Sequence, residues 1–123
     1  MALEWKVLAD RSQLDELLVR SHERLQIIFK HSTRCEISAI AKYRLETDWN
    51  LEDQCDIWYL DLIQYRSVSD LVAESLSVSH ESPQIILILN GESIHDASHL
   101  DISVSEIREA IAYSGRSASI GDA

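Results

Sequence analysis

The chain has 123 residues, 46% of them hydrophobic, which fits one domain around one core. Its formal charge of -10 speaks against a nucleic-acid backbone or an anionic lipid surface as partner, because both reward basic patches. Two cysteines are too few for a disulfide scaffold, and neither a signal peptide nor a long apolar span is read, which makes the cytoplasm the expected compartment.

Taken in order, Leu3 to Leu8 predicts a short edge strand around Trp5 and Val7. Ser12, with Glu16 shortly after and an apolar stripe of Leu14, Leu17 and Leu18, predicts a helix over 12–21. Leu25, Ile27, Ile28 and Phe29 form an unbroken apolar block, the pattern of a strand covered on both faces. A polar loop from Lys30 to Arg34 is expected at its end. Ile37, Ile40, Ala41 and Leu45 then recur at helical spacing. Asp48 to Asp53 connects to a strand with Ile57, Tyr59 and Leu60 as its apolar body, and a helix is expected from Ser67 through Val68, Leu71, Val72 and Leu76. After the only proline, Pro83, the run QIILILNGESIHDA reads as strand, Asn90-Gly91 turn, strand, since Asn-Gly is the strongest two-residue hairpin signal. Ser103 and Glu106 form a capping box for a last helix over 103–113. Residues 1–113 thus make one domain, and the small-residue tail 114–123 is read as mobile.

These readings place Cys35 at or within one residue of a helix N-terminus, directly after a buried strand. Unpaired N–H groups and the positive end of the helix dipole there favour a thiolate, the nucleophilic form of the residue. Lys30, His31 and Arg34 make the only compact basic cluster of the chain, and they flank Cys35. One turn further on stands Ser38, where a dithiol enzyme carries its resolving cysteine. Serine cannot exchange thiols, so a mixed disulfide on Cys35 would need an external thiol for release.

The order strand, helix, strand, helix, strand, helix, hairpin, helix (βαβαβαββα) is that of the thioredoxin fold, an α/β class with a central mixed sheet flanked by helices. Right-handed crossovers make the first three strands mutually parallel. Three segments go further: FKHSTRCEIS, YLDLIQYRSVSDLVAES and HESPQIILILNGESIHDASH resemble the YtxJ-like family, the monothiol bacilliredoxins of the bacillithiol system. The resemblance runs from Trp5 to about Ile111. Family members usually read Cys-Pro-Ile-Ser where this chain reads Cys35-Glu36-Ile37-Ser38.

The resemblance implies a monothiol thiol–disulfide oxidoreductase with Cys35 as the catalytic residue. Bacillithiol would be its co-substrate, with no bound cofactor, and its partners would be bacillithiolated client proteins and the low-molecular-weight thiol. It also implies a cis Ser82-Pro83 bond against Cys35, with the Ser82 backbone offering hydrogen bonds to the bound thiol or client. On the residues alone Pro83 reads as the start of an edge strand, since most X-Pro bonds are trans. Substrate contacts are expected from Lys30, His31, Thr33, Arg34, Ser38, Ser82 and Pro83. Thr33 also reads as a helix cap, Ser38 as a donor to the Cys35 sulfur, and His31 as a loop histidine or general acid–base. The alternative is a thioredoxin-like binding module without catalysis. Cys55, at the far end of the next strand, reads as a packing residue that cannot pair with Cys35. His95 and His99 follow a hairpin turn, where a spacing of four does not build a metal pair. Trp5, Trp49 and Trp58 read as packing residues.

Overall fold

The computed structural model describes residues 3–122, with side chains through residue 114. The elements are β1 (Trp5–Val7), α1 (Arg11–Arg20), β2 (Leu25–His31), α2 (Glu36–Asp48), β3 (Cys55–Asp61), α3 (Arg66–Leu76), β4 (Gln84–Leu89), β5 (Glu92–Ser98), a short 3-10 turn (His99–Asp101) and α4 (Val104–Asp122). They form one five-stranded sheet in the order β1-β3-β2-β4-β5. β1, β3 and β2 are mutually parallel, and β4 and β5 are antiparallel to their neighbours. This is the expected α/β arrangement, and β4 is an interior strand, so Pro83 does not open an edge.

Alternation along β2 supplies both halves of the core. Ile27 and Phe29 pack with Ala41 and Leu45 of α2 and Ile107 of α4 on one face. Ile28 packs with Leu14 and Leu17 of α1 and Val68 and Val72 of α3 on the other. Trp58 is buried and donates its indole N–H to Gln26 Oε1 at 2.8 Å, while Trp5 stacks on Phe29 with ring centres 5.6 Å apart. The Asn90-Gly91 turn forms as read, with φ of 55° and 76°, the left-handed pair that a tight hairpin of this hand requires.

Four boundaries differ from the sequence reading. α1 is capped by Asp10, whose Oδ1 accepts the Gln13 N–H at 2.9 Å while Gln13 Oε1 accepts the Asp10 N–H at 3.2 Å; the box is Asp10-Gln13 rather than one begun by Ser12. β2 continues through Lys30 and His31, because both remain paired with Leu60 and Asp61 of β3. α3 begins one residue before Ser67, at Arg66. α4 does not stop near Tyr113 but continues to Asp122, with Ala123 outside the described residues. Ser103 Oγ accepts the Glu106 N–H at 3.1 Å, yet the Glu106 carboxylate turns to His95 Nε2 at 2.9 Å, so that cap is one-sided.

Candidate active site at the start of the second helix

Cys35 is the N-cap residue of α2, with extended backbone (φ -116°, ψ 122°) and a partly exposed side chain. Its carbonyl accepts the Ala39 N–H at 3.1 Å, and its own N–H donates to Ser32 O at 3.2 Å, closing a tight turn over Ser32 to Cys35. No side chain caps the helix. The first-turn N–H groups therefore remain available to negative charge at the helix start, where the sulfur sits. Thr33, read as a cap, is an exposed residue of the turn.

The basic cluster expected around the thiol is divided by the strand. Lys30 points to the α3 face and is fully buried; its Nζ donates to Ser69 O at 3.1 Å and lies 3.2 Å from His80 Nδ1. Burial pushes its ammonium down to about 8. His31 points to the α2 face, buried against Phe29 and Tyr59 with ring centres 5.7 and 5.4 Å away. Burial, aided by Lys42, holds its imidazole below the ordinary range. Of the three basic residues only Arg34 is exposed, and it takes part in none of the ion pairs among the described residues. Lys30 and His31 are thus interior groups of the strand, because continued pairing with β3 carries the polar residues inward with the backbone.

Ser38 is also fully buried. Its hydroxyl oxygen lies 2.6 Å from His31 Nδ1 and accepts the Ser32 N–H at 3.0 Å, so it is engaged beneath the turn rather than with the Cys35 sulfur. The Ser82-Pro83 bond is cis. Antiparallel pairing of Lys30 with Gln84 puts Pro83 at the end of the sheet from which the Cys35 turn departs. Pro83 is buried, its carbonyl accepts the His99 N–H at 3.1 Å, and Ser82 Oγ is buried without a hydrogen-bond partner among the described residues. Sequence reasoning missed Ser32 and Ser69; of these only Ser32, the first residue after the strand, had a positional signal.

Cys55 lies at the other end of the sheet, in register with Leu25 at the start of β2. With about 3.3 Å per strand residue, the seven residues of β2 separate it from the Cys35 turn by roughly 20 Å, whereas a disulfide needs Cα atoms within about 7 Å. Its Sγ donates to Leu51 O at 3.5 Å, and burial pushes the thiol up to about 12. Cys55→Ala is expected to lower stability by about 1 kcal/mol and to leave the reactivity of Cys35 unchanged. Iodoacetamide labelling of the native protein, followed by mass spectrometry, should add one label, on Cys35. A second label on Cys55 before unfolding would contradict this placement.

One accessible cysteine at a helix N-terminus behind a parallel strand, on this sheet order, points to a class: a thiol oxidoreductase on a thioredoxin fold. Solved structures agree with that class. A candidate oxidoreductase with a thioredoxin fold is 33% identical, with a TM-score of 0.74 over 85% of this chain and 90% of that one. Thioredoxins from Malassezia sympodialis (16% identical, TM-score 0.71, 89% and 90% covered) and Trypanosoma brucei brucei (9%, 0.74, 94% and 95%) share the fold. The family is narrower. The model of the monothiol bacilliredoxin BrxC matches residues 6–107, and the chain belongs to that family.

Proposed function

We propose that the protein removes bacillithiol from mixed disulfides on client proteins. The Cys35 thiolate attacks the bacillithiol sulfur, a new disulfide forms between Cys35 and bacillithiol, and the client cysteine leaves as a thiolate. A second low-molecular-weight thiolate then attacks the bacillithiol sulfur of the adduct, a disulfide forms between the two small thiols, and Cys35 leaves as a thiolate. The observation that carries this reading is the pairing of one accessible thiol with a serine at the resolving position. With Cys55 buried at the opposite sheet end, no internal thiol can complete the cycle, so an external one must. The reducing cytoplasm is the compartment that suits such chemistry. No helix among the described residues is long and apolar enough to cross a membrane.

Arg34 supports the choice of thiol. Bacillithiol carries a malate group with two carboxylates, and Arg34 is the exposed cation of the Cys35 turn on a chain of charge -10. The test is steady-state turnover of a bacillithiolated peptide at low salt, with free bacillithiol supplied as the external thiol that releases the Cys35 adduct. Wild type should release the free peptide thiol catalytically, and Arg34→Glu should reduce kcat/KM about tenfold, the size expected for reversing one exposed charge beside a dianion. Equal turnover by wild type and Arg34→Glu would remove Arg34 from recognition. A wild-type protein inert toward the peptide would favour the non-catalytic binding module.

A further inference from the structure

The buried His31 and Ser38 and the half-buried Ser32 form a continuous relay beneath the turn that presents Cys35. Ser38 Oγ accepts the Ser32 N–H at 3.0 Å. Its own proton is therefore free to go to His31 Nδ1 at 2.6 Å. Burial disfavours the charged imidazole, and with the Ser38 hydroxyl proton directed to it Nδ1 is the acceptor, which puts the ring proton on Nε2. Ser32 in turn accepts the Cys35 N–H at 3.2 Å. Strand end, turn and helix are thus joined by three hydrogen bonds, and the sulfur is carried by the last residue of the series.

We propose that His31 is a positioning residue for Cys35, acting through the Ser38 hydroxyl to hold the Ser32–Cys35 turn in the attacking geometry. Ser38 is then more than the trace of a lost resolving cysteine. A cysteine at that position would offer only a weak sulfur acceptor to the Ser32 N–H and a weak S–H donor to His31, so the relay itself requires a hydroxyl. The inference rests on Cys35 being the exchanging thiol, and is independent of whether bacillithiol is the natural co-substrate.

The test uses the full chain in a Cys55→Ala background, with dithiobis-nitrobenzoate as the probe. The Cys35 thiolate attacks one probe sulfur, a protein–probe disulfide forms, and the other half leaves with the bond's electron pair as a coloured thiolate. Ser38→Ala, which helix propensity tolerates, and His31→Phe, which keeps an aromatic ring against Phe29 and Tyr59, should each slow this release roughly three- to tenfold, the value of one buried hydrogen bond. The double variant should be no slower than the slower single one. His31→Asn loses the ring but places an acceptor near the Nδ1 position, and should return the rate to within about twofold of wild type.

A packing role predicts the reverse order, with His31→Phe fast and His31→Asn slow, and that order would overturn the proposal. So would an unchanged rate in Ser38→Ala, which reads the relay even if the His31 variants fold poorly. So too would single effects that multiply in the double variant. If the pattern holds with this probe while wild type fails to turn over a bacillithiolated peptide, the positioning role stands and the proposed co-substrate falls.

Discussion

Cys35→Ser is expected to lower thiol–disulfide exchange by at least about a thousandfold, to the rate seen without protein, because a serine hydroxyl does not supply the anionic nucleophile that a thiol does. No other sulfur can substitute, since the Cys55 thiol is buried, pushed up to about 12, and at the far end of the sheet. The same change separates chemistry from folding. Cys35 is an N-cap residue without a side-chain cap bond, and serine is among the preferred residues at that position. The variant should therefore melt at the same temperature as wild type or up to a few degrees higher, equivalent to about 0.5–1 kcal/mol of added stability. Exchange kinetics and thermal unfolding on one preparation check both halves. Residual exchange near the wild-type rate would mean that the site lies elsewhere.

The second large effect concerns the buried lysine. In the unfolded chain Lys30 titrates near 10.5, in the folded chain near 8. Between those values the unfolded chain holds a proton that the folded chain has released, so stability contributed by this residue rises with pH across the window. Below about pH 8 the lysine is charged in both states and its burial penalty is constant; above about 10.5 it is neutral in both. The full gap corresponds to about 3 kcal/mol, and screening from the exposed His80 side leaves an expected rise on the order of 2 kcal/mol. Cys55 opposes it, because its thiol ionises from 9.0 upward only in the unfolded chain, which lowers stability over part of the same range.

Subtracting the unfolding free energy of Lys30→Met from that of wild type, by urea titration at each pH, isolates the lysine. The difference should climb in favour of wild type between pH 8 and 10.5. A flat or falling difference would show that the ammonium is not desolvated as described.

Much of this was legible in the sequence where a local rule had one reading. The Asn90-Gly91 pair fixes a hairpin because few residues adopt two successive left-handed conformations, and the junction from apolar block to helical spacing placed Cys35 within one residue of its position. Where the rules competed, the reading slipped. A strand buried on both faces shows no period, so nothing in LQIIFKH marks where it ends, and Lys30 and His31 read as loop because they are polar. Two capping patterns overlapped at residues 10–16, and the one with the three-residue spacing, Asp10 to Gln13, formed. Small residues after Tyr113 carry no apolar period, so the sequence reading ends the helix there, yet α4 runs on to Asp122. The pairing of Ser38 with His31 spans a strand end, a turn and a helix, and only the folded backbone brings such residues together.

The central claim is that Cys35 alone accepts a low-molecular-weight thiol from a client and depends on another thiol for release. Peptide-level mass spectrometry of the protein after reaction with a bacillithiolated client, quenched at intervals, tests it most directly. The account predicts bacillithiol on the Cys35 peptide, a stoichiometric appearance of free client thiol, persistence of the adduct until free thiol is added, and an unmodified Cys55. A Cys35-Cys55 disulfide, or a freed client with no adduct on Cys35, would contradict it.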